Sequence, residues 1–121
     1  MLIIPVMGDW FDMVLQGIKR ADYRTINKYW TRRLKNAAYS DKRLHPSVPT
    51  DEKFIQLVRS GSCPLVKGLY RNGYSSNDRT LSAWWRIKIG VGVPEWGAPK
   101  EEVYILEFVM WKDVTGRQAH D

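Results

Sequence analysis

Thr80-Leu81-Ser82-Ala83-Trp84-Trp85-Arg86-Ile87-Lys88-Ile89 is the stretch on which the reading of the fold turns. In an extended chain, Leu81, Ala83, Trp85, Ile87 and Ile89 face one way, and Ser82, Trp84, Arg86 and Lys88 the other. No helical period fits this order. A slip of one residue would turn the whole apolar set into water, so the stretch predicts a strand with one face on a core. Residues 64–71 read as the strand before it, joined through Asn72-Gly73 and the polar loop Ser75-Ser76-Asn77-Asp78. After it, Gly90, Gly92, Pro94, Gly97 and Pro99 mark a connection. Residues 102–111 form a last strand, with Tyr104, Leu106, Phe108 and Met110 on one face and Val103, Ile105, Glu107, Val109 and Trp111 on the other.

The first half alternates shorter elements. Residues 2–7 read as a buried strand, broken by Gly8-Asp9. Asp9 is placed to cap a helix over 10–16, whose apolar face is Trp10, Met13 and Val14 and whose end is Gly17. Residues 19–26 look like a strand, with Asp22 and Arg24 on one face. Residues 28–37 fit a basic helix and 38–49 a loop. Thr50 then caps a helix over 51–60 with Phe54, Leu57 and Val58 inward. The whole, residues 1–121, reads as one α+β domain. It is a small β-barrel or strongly curved sheet of about five or six mostly antiparallel strands, with two or three short helices.

Composition narrows the class. At 121 residues, with 44% hydrophobic and 26% charged residues, the chain can bury a core. Its aromatic content, 12%, opposes disorder. The apolar runs are too short for a membrane span, and the apolar start has no basic flank of the secretory kind. Cys63 is the sole cysteine, and His45 and His120 lack ligand-spaced partners. No metal and no cofactor are therefore expected, no membrane partner, and a reducing, cytoplasmic setting. Net charge is +6, concentrated in Lys28, Arg32, Arg33, Lys35, Lys42 and Arg43 against Asp41 alone. That stretch is either a solvated helix face or, with Tyr29, Trp30 and Tyr39 among the charges, a phosphate-contacting patch.

Gly17-Ile18-Lys19-Arg20-Ala21-Asp22-Tyr23-Arg24 carries the chemistry. Gly17 lets the chain reverse, Asp22 and Arg24 share a strand face, and Lys19 at the bend can converge on them. Such a cluster is either a structural Asp–Arg bridge at a helix–strand junction or a site for an anion or a polar base edge.

The same segment resembles the signature of the ASCH family (activating-signal-cointegrator homology), Gly-x-Lys-x-x-Glu-x-Arg after a short helix, with Asp22 in place of Glu. The likeness extends to Trp10-Phe11-Asp12-Met13-Val14-Leu15, to Tyr29-Trp30 with Arg32 and Arg33, to Asn72-Gly73-Tyr74, and to the stretches 90–98 and 103–108. It is to short members of phage and bacterial type, over about residues 2 to 111. The resemblance implies a PUA-like β-barrel with the signature lining a cleft, and an association with RNA. Some members cleave RNA, and one branch hydrolyses acylated cytidines with the signature lysine. Carried over, Lys19 and Asp22 are the candidate catalytic residues. Arg24, Tyr29, Trp30, Arg32, Arg33, Tyr74 and Trp84 are the candidate nucleic-acid contacts, with the aromatic rings near the cleft. In the deacylating branch a Thr stands where this chain has Asp22, and a carboxylate there is expected to raise the pKa of Lys19. The partner expected is RNA or a modified nucleotide. The two functions in view are a binding module and a small hydrolase, beside an interaction domain with no nucleic-acid role.

Overall fold

In the computed structural model, which describes residues 1–116, the alternating stretch lies in β4 (Thr80–Val91), and the expected faces hold. Leu81, Ala83, Trp85 and Ile87 are buried, while Trp84, Arg86 and Lys88 are exposed. β4 pairs antiparallel with β3 (Val66–Asn72) and with β5 (Glu102–Asp113). β5 pairs antiparallel with β2 (Ala21–Arg24), and β3 pairs parallel with β1 (Ile3–Val6). The result is a five-stranded mixed sheet, order β1-β3-β4-β5-β2, curled into a half-barrel. His120 lies outside the described residues.

Three helices fill the concave side: α1 (Asp9–Leu15), α2 (Lys28–Ala38) and α3 (Asp51–Arg59). Their inward residues, Phe11 and Val14, Leu34, and Phe54 and Val58, join Ile4, Tyr70, Trp85, Tyr104 and Leu106 in one cluster. Thr50 caps α3 as expected, accepting from the Lys53 amide, and Asn27 caps α2 by accepting from the Trp30 amide.

Three expectations fail, one in β5 and two in α1. Trp84 pairs with Met110 but Trp85 pairs with Phe108, so Val109 is an extra residue in β5. This β-bulge inverts the alternation beyond it. Tyr104 and Leu106 are buried and Phe108 packs on the core, whereas Met110 turns outward beside Trp84. In α1 the buried residues are Phe11 and Val14, not Trp10, and the N-cap is Gly8 rather than Asp9. The helix is rotated so that Trp10 faces the sheet edge, where the signature lies.

β1 and β2 are the two edges of the sheet. Along β1 the carbonyls of Leu2 and Val6 accept from β3 and the residue after it, at Leu69 and Gly73. The carbonyls of Ile3 and Pro5 therefore point out of the sheet, and each is met by an arginine. Arg33 Nη2 donates to Ile3 and Arg24 Nη2 to Pro5, both at 2.7 Å. An edge strand is thus covered by guanidinium groups instead of backbone, and Pro5 adds no unpaired N–H there. Since Arg24 belongs to β2, its bond to Pro5 spans the gap between the two edges.

Candidate functional site

The site forms along this seam. Gly17, at φ +75, reverses the chain at the end of α1, and the amides of Ile18 and Lys19 both return to the Met13 carbonyl, at 2.9 and 3.1 Å. That anchorage aims the Lys19 side chain into the seam, where the residue is only 5% exposed. Its ammonium stands 4.7 Å from the Trp10 ring centre and 3.9 Å from an Asp22 carboxylate oxygen. Gly97, at φ +93, brings its backbone against the Trp10 ring, where an added Cβ would come within 3.1 Å.

Asp22 is nearly saturated. Arg24 Nε donates to Oδ2 at 2.5 Å, and the Tyr70 hydroxyl donates to Oδ1 at 3.1 Å. Arg24 in turn lies 4.9 Å from the Trp30 ring centre. Trp10, Lys19, Asp22, Arg24, Tyr74 and Trp96 together line a cleft of about 350 Å³. Its roof, the turn at Pro94–Trp96, is tied to β2 by the Val93 amide donating to the Tyr23 hydroxyl at 3.0 Å.

Burial lowers the pKa of Lys19; Asp22 opposes that shift and Arg24 adds to it. The expectation that a neighbouring carboxylate would raise this pKa is right for the Asp22 contribution and wrong for the sum. Desolvation is the larger effect, and Asp22 is shared with Arg24. Burial also raises the pKa of Tyr70, with Asp22 adding to it, so this hydroxyl stays a donor.

The remaining predicted residues divide. Tyr74 joins the cleft, 80% exposed at its mouth. Trp30 stacks on Arg24, and Tyr29 meets Trp30 edge-on at 5.2 Å. Arg33 packs on both rings and holds the Ile3 carbonyl, so its first duty is to the fold. Arg32 stands apart from the cleft, 3.6 Å from Asp51, which also takes Lys35 at 2.6 Å. Arg43 pairs with Asp41 at 3.5 Å. The basic stretch is therefore not one free patch. Trp84 is on another wall of the molecule, in a separate cavity.

Three participants escaped the sequence reading. Trp10 looks like a core residue by spacing, Tyr70 sits in an apolar strand, and the Pro5 carbonyl carries no sequence signal at all. Trp10 and Trp96 both fall in stretches that share the family likeness, 10–15 and 90–98, but neither is marked there as a site residue.

Burial pushes the Cys63 thiol up to about 12, which keeps it protonated and unreactive. Among the described residues no three His, Cys, Asp or Glu side chains gather as they would around a metal ion. None of the helices among them is long and apolar enough to cross a membrane. No protein-family model matches the chain, and searches of curated proteins and of solved structures found no match.

Proposed function

We propose that this chain is an ASCH-type, nucleic-acid-associated protein that binds RNA or a modified nucleotide in the seam cleft, on a half-barrel of PUA-like kind. The observation that carries the reading is the buried Lys19 ammonium, set against Trp10 in an aromatic-walled cleft beside a carboxylate already committed to Arg24 and Tyr70. A lysine whose nearest carboxylate is so occupied has donor capacity left for a ligand. A cleft of about 350 Å³ is within the size range of small-ligand sites. The rings of Trp10, Trp96 and Tyr74 suit a planar base, and Lys19 supplies a donor for its polar edge or for a phosphate. We place the protein in a reducing cytoplasm, in keeping with a single cysteine, Cys63, that has no second cysteine in the chain to pair with.

A second reading, a small hydrolase acting on RNA or an acylated cytidine, is favoured by one observation, the lowered pKa of Lys19. The neutral amine is the form that acts as nucleophile or general base. Asp22, bound by Arg24 and Tyr70, then serves to position Lys19 rather than to move protons.

Titration of the protein with cytidine monophosphate, N4-acetylcytidine and a short RNA, followed by NMR, tests the two. In the binding reading, shifts cluster at Lys19, Trp10 and Tyr74, Lys19→Ala loses them, and no product forms. Hydrolysis of N4-acetylcytidine that Lys19→Ala abolishes would replace binding with the second reading.

A further inference from the structure

A second cavity is larger than the cleft. It measures about 860 Å³ and lies between the end of α2, the loop after it and the outer side of β3 and β4. Its polar lining is Arg33, Asn36, Ser40, Asp41, His45 and Lys67, and its principal aromatic wall is Trp84. The Lys67 ammonium stands 5.6 Å from the Trp84 ring centre, so an anion whose flat portion lies on the indole meets a cation beside it. Asp41 is turned to its own loop, accepting from the Arg43 amide at 3.0 Å. His45 is held edge-on to Tyr39, 4.9 Å between ring centres. Arg33 reaches the cavity wall while its guanidinium holds the Ile3 carbonyl. A planar group bearing negative charge is the ligand that satisfies this lining.

The cavity and the cleft have no lining residue in common, but β1 and Trp30 lie between them and connect them. Arg24 of the cleft and Arg33 of the cavity cap the Pro5 and Ile3 carbonyls, two residues apart on β1, a rise of about 7 Å. Both guanidinium groups pack on the same ring, Trp30, at 4.9 and 5.4 Å. Lys19 lies on Trp10 in the cleft, Arg24 and Arg33 lie on Trp30 between the two, and Lys67 lies on Trp84 on the outer face of β3 and β4, so each of the three places pairs a cation with an aromatic ring. That is the pattern a single strand requires, cations for its phosphates and ring faces for its bases.

We infer that the cavity walled by Trp84 is a second base subsite, which takes a further nucleotide of the same single strand whose other base occupies the Lys19 cleft. This rests on the nucleic-acid reading above and sharpens it. The preferred ligand is an oligonucleotide that crosses from the cleft past Trp30 to the outer face of β3 and β4, not a lone nucleotide.

The test uses the whole protein, a mixed-sequence single-stranded RNA of eight nucleotides and the four ribonucleoside monophosphates, with affinities read by anisotropy and calorimetry. Trp84→Ala is expected to weaken the octamer about 5- to 150-fold, the range for loss of one stacked base, while Trp84→Phe keeps most of the affinity. Lys67→Met should flatten the octamer's log–log salt slope by about 0.7. The tightest monophosphate should bind both Trp84 variants as it binds the parent. Exposure of Trp84 and Lys67 on the outer face leaves the core untouched in each variant. Octamer affinity unaffected by Trp84→Ala but lost in Lys19→Ala would overturn the second subsite and leave the cleft standing. Equal loss for octamer and monophosphate in Trp84→Ala would make the cavity a lone-nucleotide site and overturn the strand path. No binding of either probe at low salt would overturn this inference together with the reading beneath it.

Discussion

Two of the carboxylates that lie between a pair of cations, Asp22 and Glu107, sit at opposite extremes of burial. At the seam Asp22 lies between Lys19 and Arg24, with side-chain exposures of 4%, 4% and 18%. On the outer face of β4 and β5, Glu107 lies between Lys88 at 3.0 Å and Arg86 at 3.4 Å, each more than a third exposed. The residue types are nearly the same and the consequences are opposite. At the surface, water screens all three charges, and the hydrogen bond from Lys88 holds the Glu107 carboxyl below its usual range. At the seam, water is excluded, and the lysine's proton is what becomes easier to lose. Burial, not the charge pattern, turns an ion cluster into a site with unusual chemistry.

The contrast is sharpest in stability. Asp22→Ala leaves Arg24 and Lys19 without their carboxylate and the Tyr70 hydroxyl without its acceptor. A loss of about 3–5 kcal/mol is expected, against under about 1 kcal/mol for Glu107→Ala. Urea denaturation of both variants measures this, and equal losses would erase the distinction drawn here.

A smaller effect separates two adjacent arginines of α2. Arg33→Ala uncovers the Ile3 carbonyl and removes the guanidinium from Tyr29 and Trp30, at an expected cost of about 1–3 kcal/mol. Arg32 is solvent-facing beside Asp51, and its replacement by Ala should stay within about 0.5 kcal/mol. A thermal melt of each variant decides whether α2 is a basic surface or a brace for β1.

The smallest effect is in pH dependence. The folded pKa of Lys19 lies below its unfolded value of 10.5, so in the interval between them the unfolded chain binds more protons. Stability therefore gains a rising contribution through that interval as pH increases, and Lys19→Met should remove it. Glu107 works at the other end. Its folded pKa is depressed below 4.5, so its contribution is present above that value and fades as pH falls through the folded one. Glu107→Gln should flatten the acid side alone. Stability curves of the two variants that change on the same side of neutrality would contradict the assignment.

How far the sequence could be read follows the same physics. The period of two in β4 was legible because a strand with one wet face writes its burial into every second residue. In β5 that rule reads correctly up to Phe108 and then fails at Met110, because a bulge leaves no mark in side-chain type. The Asp22–Arg24 pair was legible from its spacing on one strand face. The net lowering of the Lys19 pKa was not, since it depends on how much water Trp10 and the turn at 94–97 exclude. Trp84 was rightly read as outward, but its separation from the cleft depends on the curl of the sheet, which no local pattern encodes.

The bond from Arg24 to the Pro5 carbonyl also has a consequence for how the chain gets there. It joins residues only 19 apart, whereas the ladder on the other side of β2 joins Ala21 to Glu107, a separation of 107 − 21 = 86. Closing the shorter loop costs less chain entropy, by about 1.3 kcal/mol on logarithmic scaling. The unit from β1 through α1 to β2 can meet across its own short hairpin-like span, while the opposite flank of β2 waits on the last strand of the sheet. The arginine that lines the cleft is thus also the cheapest long-range latch β2 possesses.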